Sequence, residues 1–492
     1  MKRMKILFAT SEAAPYIKSG GLGDVAGALP PALCDIPGNE VCVVLPYYGT
    51  IKNNTSFDIE YVTSFYMPLG WRSTYVGVFK AVIKSKGVGK NKRNDLVYYF
   101  IDNEHYFCRD GKSPYGYEDD GERFAFFSKA VLEFLNHIDY TPEIIHCNDW
   151  QTGYIPLLLK SLYSGSERHR HIRTVYTIHN IEYQGKAHPD FLGNVLGIDD
   201  SWRNGATFDG MLNSMKSAIV LADKITTVSR TYAHEIKYAY FAHDLDEILR
   251  ENEYKTFGVV NGIDTKLFDP STDATIPANF NPSDMSGKAK CKEELQKMLG
   301  LPVRADVPIV SMVSRLVDHK GLELVEAVAH QLMELDIQLV VLGTGDKKYE
   351  DLFKFMDYTY ADKMSANITF NAALANQIYA GSDFFLMPSK SEPCGLSQLI
   401  SMRYGTVPIV RETGGLVDTV PPVNTETLEG NGFTFKTYNA HDMLGAVVRA
   451  VEFYHDGDKL DKFRAKIMRY DSSWKKSAEL YNGVYKELCG IE

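Results

Sequence analysis

The sequence predicts an α/β protein made of two doubly wound parallel sheets, one after the other in the chain. Short β-branched runs at 5–10, 41–45, 97–101, 143–146 and 173–178 alternate with longer helical patterns, the signature of parallel strands joined by helices. A second, independent alternation begins after residue 265, with strands at 308–313, 338–342, 367–370, 383–387 and 407–410. Its 492 residues also exceed what one hydrophobic core usually supports.

The first loop to carry chemistry is Lys18-Ser19-Gly20-Gly21-Leu22-Gly23-Asp24, which leads into an apolar helix start running to Pro30. Glycines let backbone N–H groups crowd toward an anion, the helix adds the positive end of its dipole, and Lys18 supplies a full charge. Gly21-x-Gly23-x-x-Ala26 also fits the dinucleotide fingerprint, but the first strand ends well before the glycines. The second strand runs into Pro46-Tyr47-Tyr48 with no acidic residue for a ribose. The loop therefore reads as a sugar-nucleotide phosphate loop and not as an NAD site.

Between 50 and 105 the aromatic-rich text (Tyr61, Phe65, Tyr66, Trp71, Tyr75, Phe79) predicts hairpins beside the first sheet, and Lys84 to Arg93 predicts a solvated basic loop tip. The domain boundary is placed near Asn261-Gly262-Ile263-Asp264, giving 1–262 and 263–470, with an irregular connection at 269–287 and a helix near 288–299. Trp474, Ala478, Tyr481, Tyr485 and Leu488 fall at helical spacing, so 471–492 reads as a closing helix packing back on the first domain.

Composition narrows the partners. A net charge of −10 disfavours nucleic acid and anionic membranes. Seven cysteines without a CxxC pair indicate neither a disulfide framework nor a zinc site, and no long apolar span is present. A cytoplasmic protein without membrane partner is the expectation.

The segments Lys18 to Pro30, His146 to Trp150, Tyr176 to Asn180, Asn261 to Asp264, Ser314-Arg315 to Lys320-Gly321 and Ser389 to Val420 together resemble glycogen and starch synthases of the bacterial type (glycosyltransferase family 5). The most specific part is Ser391-Glu392-Pro393-Cys394-Gly395-Leu396 followed by Arg403 to Asp418. The resemblance implies a GT-B fold, two Rossmann-like domains facing across a deep cleft. It also implies retaining transfer of glucose from ADP-glucose to the non-reducing end of an α-1,4-glucan such as glycogen, with no metal and no cofactor. No DxD-like pair sits in a metal loop, so the diphosphate charge falls to Lys18, Arg315, Lys320 and backbone amides.

By resemblance, Glu392 contacts donor hydroxyls near the reacting carbon, and His179 hydrogen-bonds the donor sugar. Together with Arg315 and Lys320 these form the expected catalytic set. Substrate contacts are expected from Lys18, Gly20, Gly21, Asp24, Asp149, Asn261, Cys394, Gly395, Leu396, Thr413, Gly414 and Gly415, with Gly414-Gly415 as a second amide cradle. The Cys394 thiol is expected to react and to be protected by donor. Where related GT-B families place a second glutamate eight positions after Glu392, this sequence has Ile400, pointing to the synthase branch. Tyr115 and Tyr117 are candidate glucan platforms. Two other readings stay open: a transferase making a small glycoside such as sucrose, and a catalytically silent glucan-binding protein.

Overall fold

Twelve strands belong to the first of two sheet systems: β1 (Met4–Ala9), β2 (Asn39–Pro46), β3 (Glu60–Leu69), β4 (Arg72–Ile83), β5 (Leu96–Asp102), β6 (Ile144–Asn148), β7 (Arg173–Ile178), β8 (Lys186–Ala187), β9 (Thr207–Phe208), β10 (Met211–Asn213), β11 (Lys224–Thr227) and β12 (Thr256–Gly258). They were traced in a computed structural model that describes residues 3–84, 94–109 and 113–491, so the basic run after Lys84 lies outside the described residues.

Nine of these strands make one sheet in the order β12-β11-β7-β6-β1-β2-β5-β4-β3, while β8, β10 and β9 form a small sheet of their own. The inner strands pair in parallel, and β1 and β2 are buried almost throughout, as strands covered on both faces must be. The predicted hairpin is β3–β4, an antiparallel edge. Its alternation of exposed and buried residues is that of a sheet wet on one face.

The second sheet is β13 (Ile309–Val313), β14 (Gln338–Leu342), β15 (Met364–Asn367), β16 (Phe384–Met387), β17 (Val407–Arg411) and β18 (Phe433–Phe435), all parallel in the order β15-β14-β13-β16-β17-β18. The expectation of a strand at 367–370 is corrected to Met364–Asn367. Leu339 pairs with Met364, and Phe370, whose β-propensity suggested the later span, is 87% exposed. Strands β11, β12 and β18, three or four residues each, were not foreseen.

The chain divides into two compact units, Met1–Val228 with Ala233–Val259 and Trp474–Glu492, and Ser229–Tyr232 with Val260–Ser473. The division thus falls a few residues before 262 and a few after 470. Chain entry and exit lie side by side within the second unit, where Ile263 bridges Ser473 in parallel. Helix Trp474–Cys489 packs in the first unit against helix Gly21–Cys34. Its Tyr485 hydroxyl bonds His146 Nδ1 at 2.6 Å, Asn482 meets Asn39, and Glu487 pairs with Lys224.

Each sheet has a switch point where the chain reverses its direction of growth, between β1 and β6 in the first unit and between β13 and β16 in the second. Crevices beyond the carboxyl ends of strands form there.

Candidate active site

In the first unit, three loops leave the carboxyl ends of β1, β6 and β7. The β1 loop is organised by Glu12, a buried carboxylate whose Oε2 accepts from the backbone N–H and the hydroxyl of Ser19. Burial pushes the Glu12 carboxyl up, against these donors and the Gly20 amide. Lys18 Nζ lies 2.6 Å from Asp24 Oδ1, and a Cβ on Gly23 would come within 3.0 Å of the Lys18 side chain, so glycine there lets the lysine fold back. Gly20 and Gly21 face open space at their α-carbons, the condition for close approach of a ligand to backbone.

Asp149, after β6, is in the left-handed region at φ 53 and accepts the His179 backbone N–H at 2.7 Å. Its carboxyl is pushed up to about 7, by burial first, with the charge of Glu12 adding and the His179 and Asn180 amides opposing. His179, after β7, places Nε2 2.9 Å from Asn148 Oδ1. Because the Asn148 amide nitrogen donates to the carbonyls of Ala9 and His146, its oxygen is the acceptor, so His179 carries its proton on Nε2 and turns a bare Nδ1 outward from that bond. Burial lowers its pKa to about 3, which keeps the ring neutral. Tyr115, half-buried, bonds Ser11 through its hydroxyl, and Tyr117 lies beside the Arg109 and Arg123 guanidinium groups.

In the second unit, Ser314-Arg315 follow β13, Glu392 follows β16 and Thr413 to Gly415 follow β17. Lys320 Nζ sits 2.7 Å from Glu392 Oε2, which also accepts from Ser389 Oγ at 3.0 Å, and Glu392 is 6% exposed. Gly321, at φ 72, brings this lysine in: a Cβ would stand 2.1 Å from the Pro388 carbonyl. Arg315 is exposed, its loop fixed from below by Gly343 and Gly345, whose Cβ atoms would collide with the carbonyls of Ser314 and Leu316. Buried Arg411 donates to the carbonyls of Ser389 and Lys390 and so fixes the segment carrying Glu392.

Two expectations change here. The Gly415 N–H donates to the carbonyls of Glu392 and Pro393, so it serves to fasten loops together and not as an anion donor. Gly414 is at φ 47 with its would-be Cβ 2.0 Å from the Glu392 carbonyl. Cys394 is buried, and burial pushes the thiol up to about 12 against the lesser, opposing influence of the Asn261 backbone amide; a reactive, donor-protected thiol is therefore not what the fold provides. Gly395 is at φ 73 beside Gln398, whose amide nitrogen donates to the Cys394 and Gly395 carbonyls, with Leu396 half-buried at the helix start and Thr413 buried.

Residues 5–251 match the starch synthase catalytic domain family, and residues 297–467 match the glycosyl transferases group 1 family. A glycogen synthase of Clostridium acetobutylicum is 48% identical over 490 residues, covering 99% of this chain and all of the relative. The chain belongs to the glycogen and starch synthase family. A glycogen synthase of Bacillus anthracis is 47% identical with the same coverage. Among solved structures, the catalytic domain of Arabidopsis thaliana starch synthase IV, bound to ADP and acarbose, superposes with a TM-score of 0.89 at 33% identity over the whole of both chains. A sucrose-phosphate synthase of Thermosynechococcus elongatus, at 18% identity and a TM-score of 0.59 over 99% of this chain and all of that one, shares the fold alone.

As a member of this glycosyltransferase family the chain has the two-domain α/β GT-B fold. Among the described residues no group of three or more His, Cys, Asp or Glu is arranged to hold a metal ion, and no helix is long and apolar enough to cross a membrane. Sequence reasoning missed Glu12, Asn148 as the partner of His179, Gly343 with Gly345, and Arg411. Glu12 stood between the β1 run and the glycine loop, and Arg411 inside the most specific motif, so both were within reach of attention to buried charge.

Proposed function

We infer that this enzyme transfers glucose from ADP-glucose to the non-reducing end of an α-1,4-glucan with retention of configuration. The bond from glucose C1 to the β-phosphate oxygen breaks, a bond from C1 to the acceptor O4 forms, the O4 proton is released, and ADP leaves. The observation that carries the reading at the site is the Lys320–Glu392 contact of 2.7 Å at the second switch point, a cation suited to diphosphate beside a carboxylate suited to sugar hydroxyls. Full-length similarity to glycogen synthases supports the substrate class.

In this reading Arg315 and Lys320 neutralise charge that builds on the diphosphate as C1 departs. Glu392 takes donor hydroxyls, and its segment contributes Asn261, Cys394, Gly395, Leu396, Thr413, Gly414 and Gly415 as backbone and shape. Lys18 joins the phosphate contacts once ligand competes for it with Asp24, while Gly20 and Gly21 admit ligand to the backbone. His179 offers Nδ1 as an acceptor for a sugar hydroxyl, and Asp149 meets the acceptor glucan. The enzyme works in the cytoplasm on a soluble polymer, with neither nucleic acid nor membrane as partner.

The test is nucleotide release from ADP-glucose and from UDP-glucose, each with and without glycogen. Release of ADP that requires glycogen is expected. Release with a small acceptor such as fructose, and none with glycogen, would replace the reading by a small-glycoside transferase.

A further inference from the structure

One short segment, Ser229–Tyr232, belongs to the second unit although the runs on either side of it belong to the first. It begins helix Arg230–Glu235, and Ser229 caps that helix: its hydroxyl oxygen accepts the Tyr232 N–H at 3.0 Å. An N-cap serine still has a proton to give, and Ser229, fully buried, gives it to the carbonyl of Pro393 at 2.7 Å, 164 positions along the chain. Asp418 holds the same turn from a second direction. Its Oδ2 accepts the N–H groups of Arg230 at 2.6 Å and Thr231 at 3.1 Å, and its Oδ1 accepts the Thr231 hydroxyl at 2.7 Å. Asp418 lies in helix Gly415–Thr419, whose first amide, the Gly415 N–H, donates to the carbonyls of Glu392 and Pro393. The bonds close a ring: from Pro393 to Ser229, along the turn to Thr231, across to Asp418, back through the short helix to Gly415, and from there to the peptide that joins Glu392 to Pro393.

We propose that Ser229, Thr231 and Asp418 are positioning residues for Glu392, a clasp that fixes the peptide following that carboxylate. Lys320 and Ser389 set the Glu392 side chain, and the ring sets its backbone, so the peptide moves only by stretching bonds on both sides. A group that meets a transition state needs this second layer of support, because small displacements of it cost turnover. The Asp418 carboxylate sits where a negative charge is favoured, on the first amides of a helix. An ordinary capped helix accounts for the Tyr232 and Asp418 bonds, but not for a hydroxyl proton sent to the residue after Glu392. The proposal rests on the reading that Glu392 takes hydroxyls of the donor sugar.

The test takes Ser229→Ala, Thr231→Val and Asp418→Ala, each alone and together with Glu392→Gln, with Thr231→Ser as the conservative control. It reads glycogen-dependent ADP release, ADP affinity by calorimetry, and hydrogen exchange at the Gly415 amide. Each single variant is expected to lower kcat about tenfold or more, as a misplaced group at the reacting centre does, while ADP affinity holds within about twofold. The Gly415 amide should exchange faster in Ser229→Ala and Thr231→Val, which lie far from it in the chain. In the Glu392→Gln background the same changes should lower kcat by less than about twofold, since groups that act through one side chain stop adding once its charge is gone. Thr231→Ser keeps the hydroxyl and should behave as wild type. Effects that multiply in full with Glu392→Gln, an unchanged Gly415 exchange, or a Thr231→Ser as impaired as Thr231→Val overturn the clasp and leave the transferase reading standing. A wild type that releases no ADP with glycogen, while exchange at Gly415 still quickens in the variants, overturns that reading and leaves the clasp as the support of Glu392.

Discussion

Lys320 Nζ and Ser389 Oγ both meet Glu392 on the same oxygen, Oε2, and in the proposed function Oε1 takes a hydroxyl of the donor sugar. Glu392→Gln keeps the shape and removes the charge, so turnover should fall by roughly two orders of magnitude. ADP affinity by calorimetry should hold within about twofold if, as proposed, the contact is with sugar and transition state. Equal losses in both would instead tie the residue to phosphate. Asp149 makes a second prediction through its proton. With its carboxyl raised to about 7, the folded protein holds that proton more tightly than the unfolded chain, whose aspartate titrates near 4. Its stabilising contribution is therefore complete below about pH 4 and is lost as pH rises through about 7. Asp149→Asn keeps an oxygen for the His179 amide and does not ionise. Its melting temperature relative to wild type should rise between about pH 4 and 7 and level off above; a difference that ignores pH would mean the carboxylate is not held up by burial.

At the level of elements, the two glycine loops look alike in sequence but differ in what they pack against. Gly20 has nothing within 4 Å of a would-be Cβ, and its φ of −158° is extended backbone that alanine adopts. Gly414 at φ 47 stands against the Glu392 carbonyl. Gly20→Ala should leave the melting temperature unchanged while raising KM for ADP-glucose, and Gly414→Ala should lower both stability and turnover, costing about 1–3 kcal/mol through left-handed strain alone. A destabilised Gly20→Ala, or a Gly414→Ala with unchanged melting, would remove that distinction. The contrast also marks how far sequence reached. Central strands such as Lys5 to Ala9 and Val41 to Leu45 were legible because burial on both faces leaves continuous apolar runs. Strands β11, β12 and β18 carry too few residues for a period to show. The site loops were legible from their motifs, whereas the hold of Glu12 on Ser19 and of Arg411 on Ser389 depends on which oxygen folding brings to each donor.

For the whole molecule, the decisive feature is that the first unit is discontinuous. The chain leaves it after Val259, builds nearly all of the second unit, and returns as helix Trp474–Cys489. That helix contributes Trp474, Ala478, Tyr481 and Tyr485 as buried side chains and gives His146, itself fully buried and held to about 3 by burial, its Nδ1 partner. Removing a large buried aromatic costs about 3–5 kcal/mol. Two or three together approach the ~5–15 kcal/mol by which a domain is stable at all. A chain ending at Ser473 should therefore lose the first unit while keeping the second, whose parallel sheet β13–β18 is built from residues that remain. Trp71, Trp150, Trp202 and Trp474 account for all four tryptophans, and all lie in the first unit, so their fluorescence follows that unit alone. The truncated chain, which keeps Trp71, Trp150 and Trp202, should show its tryptophan emission shifted to the red at temperatures where the emission of the full chain has not yet shifted, with circular dichroism still reporting a cooperative transition from the second unit. Tyr485→Phe, which keeps the ring and strands His146 Nδ1, should lower the fluorescence midpoint by a smaller step, equivalent to about 1–3 kcal/mol. If the truncated chain melted by fluorescence where the intact one does, the helix would be an appendage to the first unit and not its closing piece.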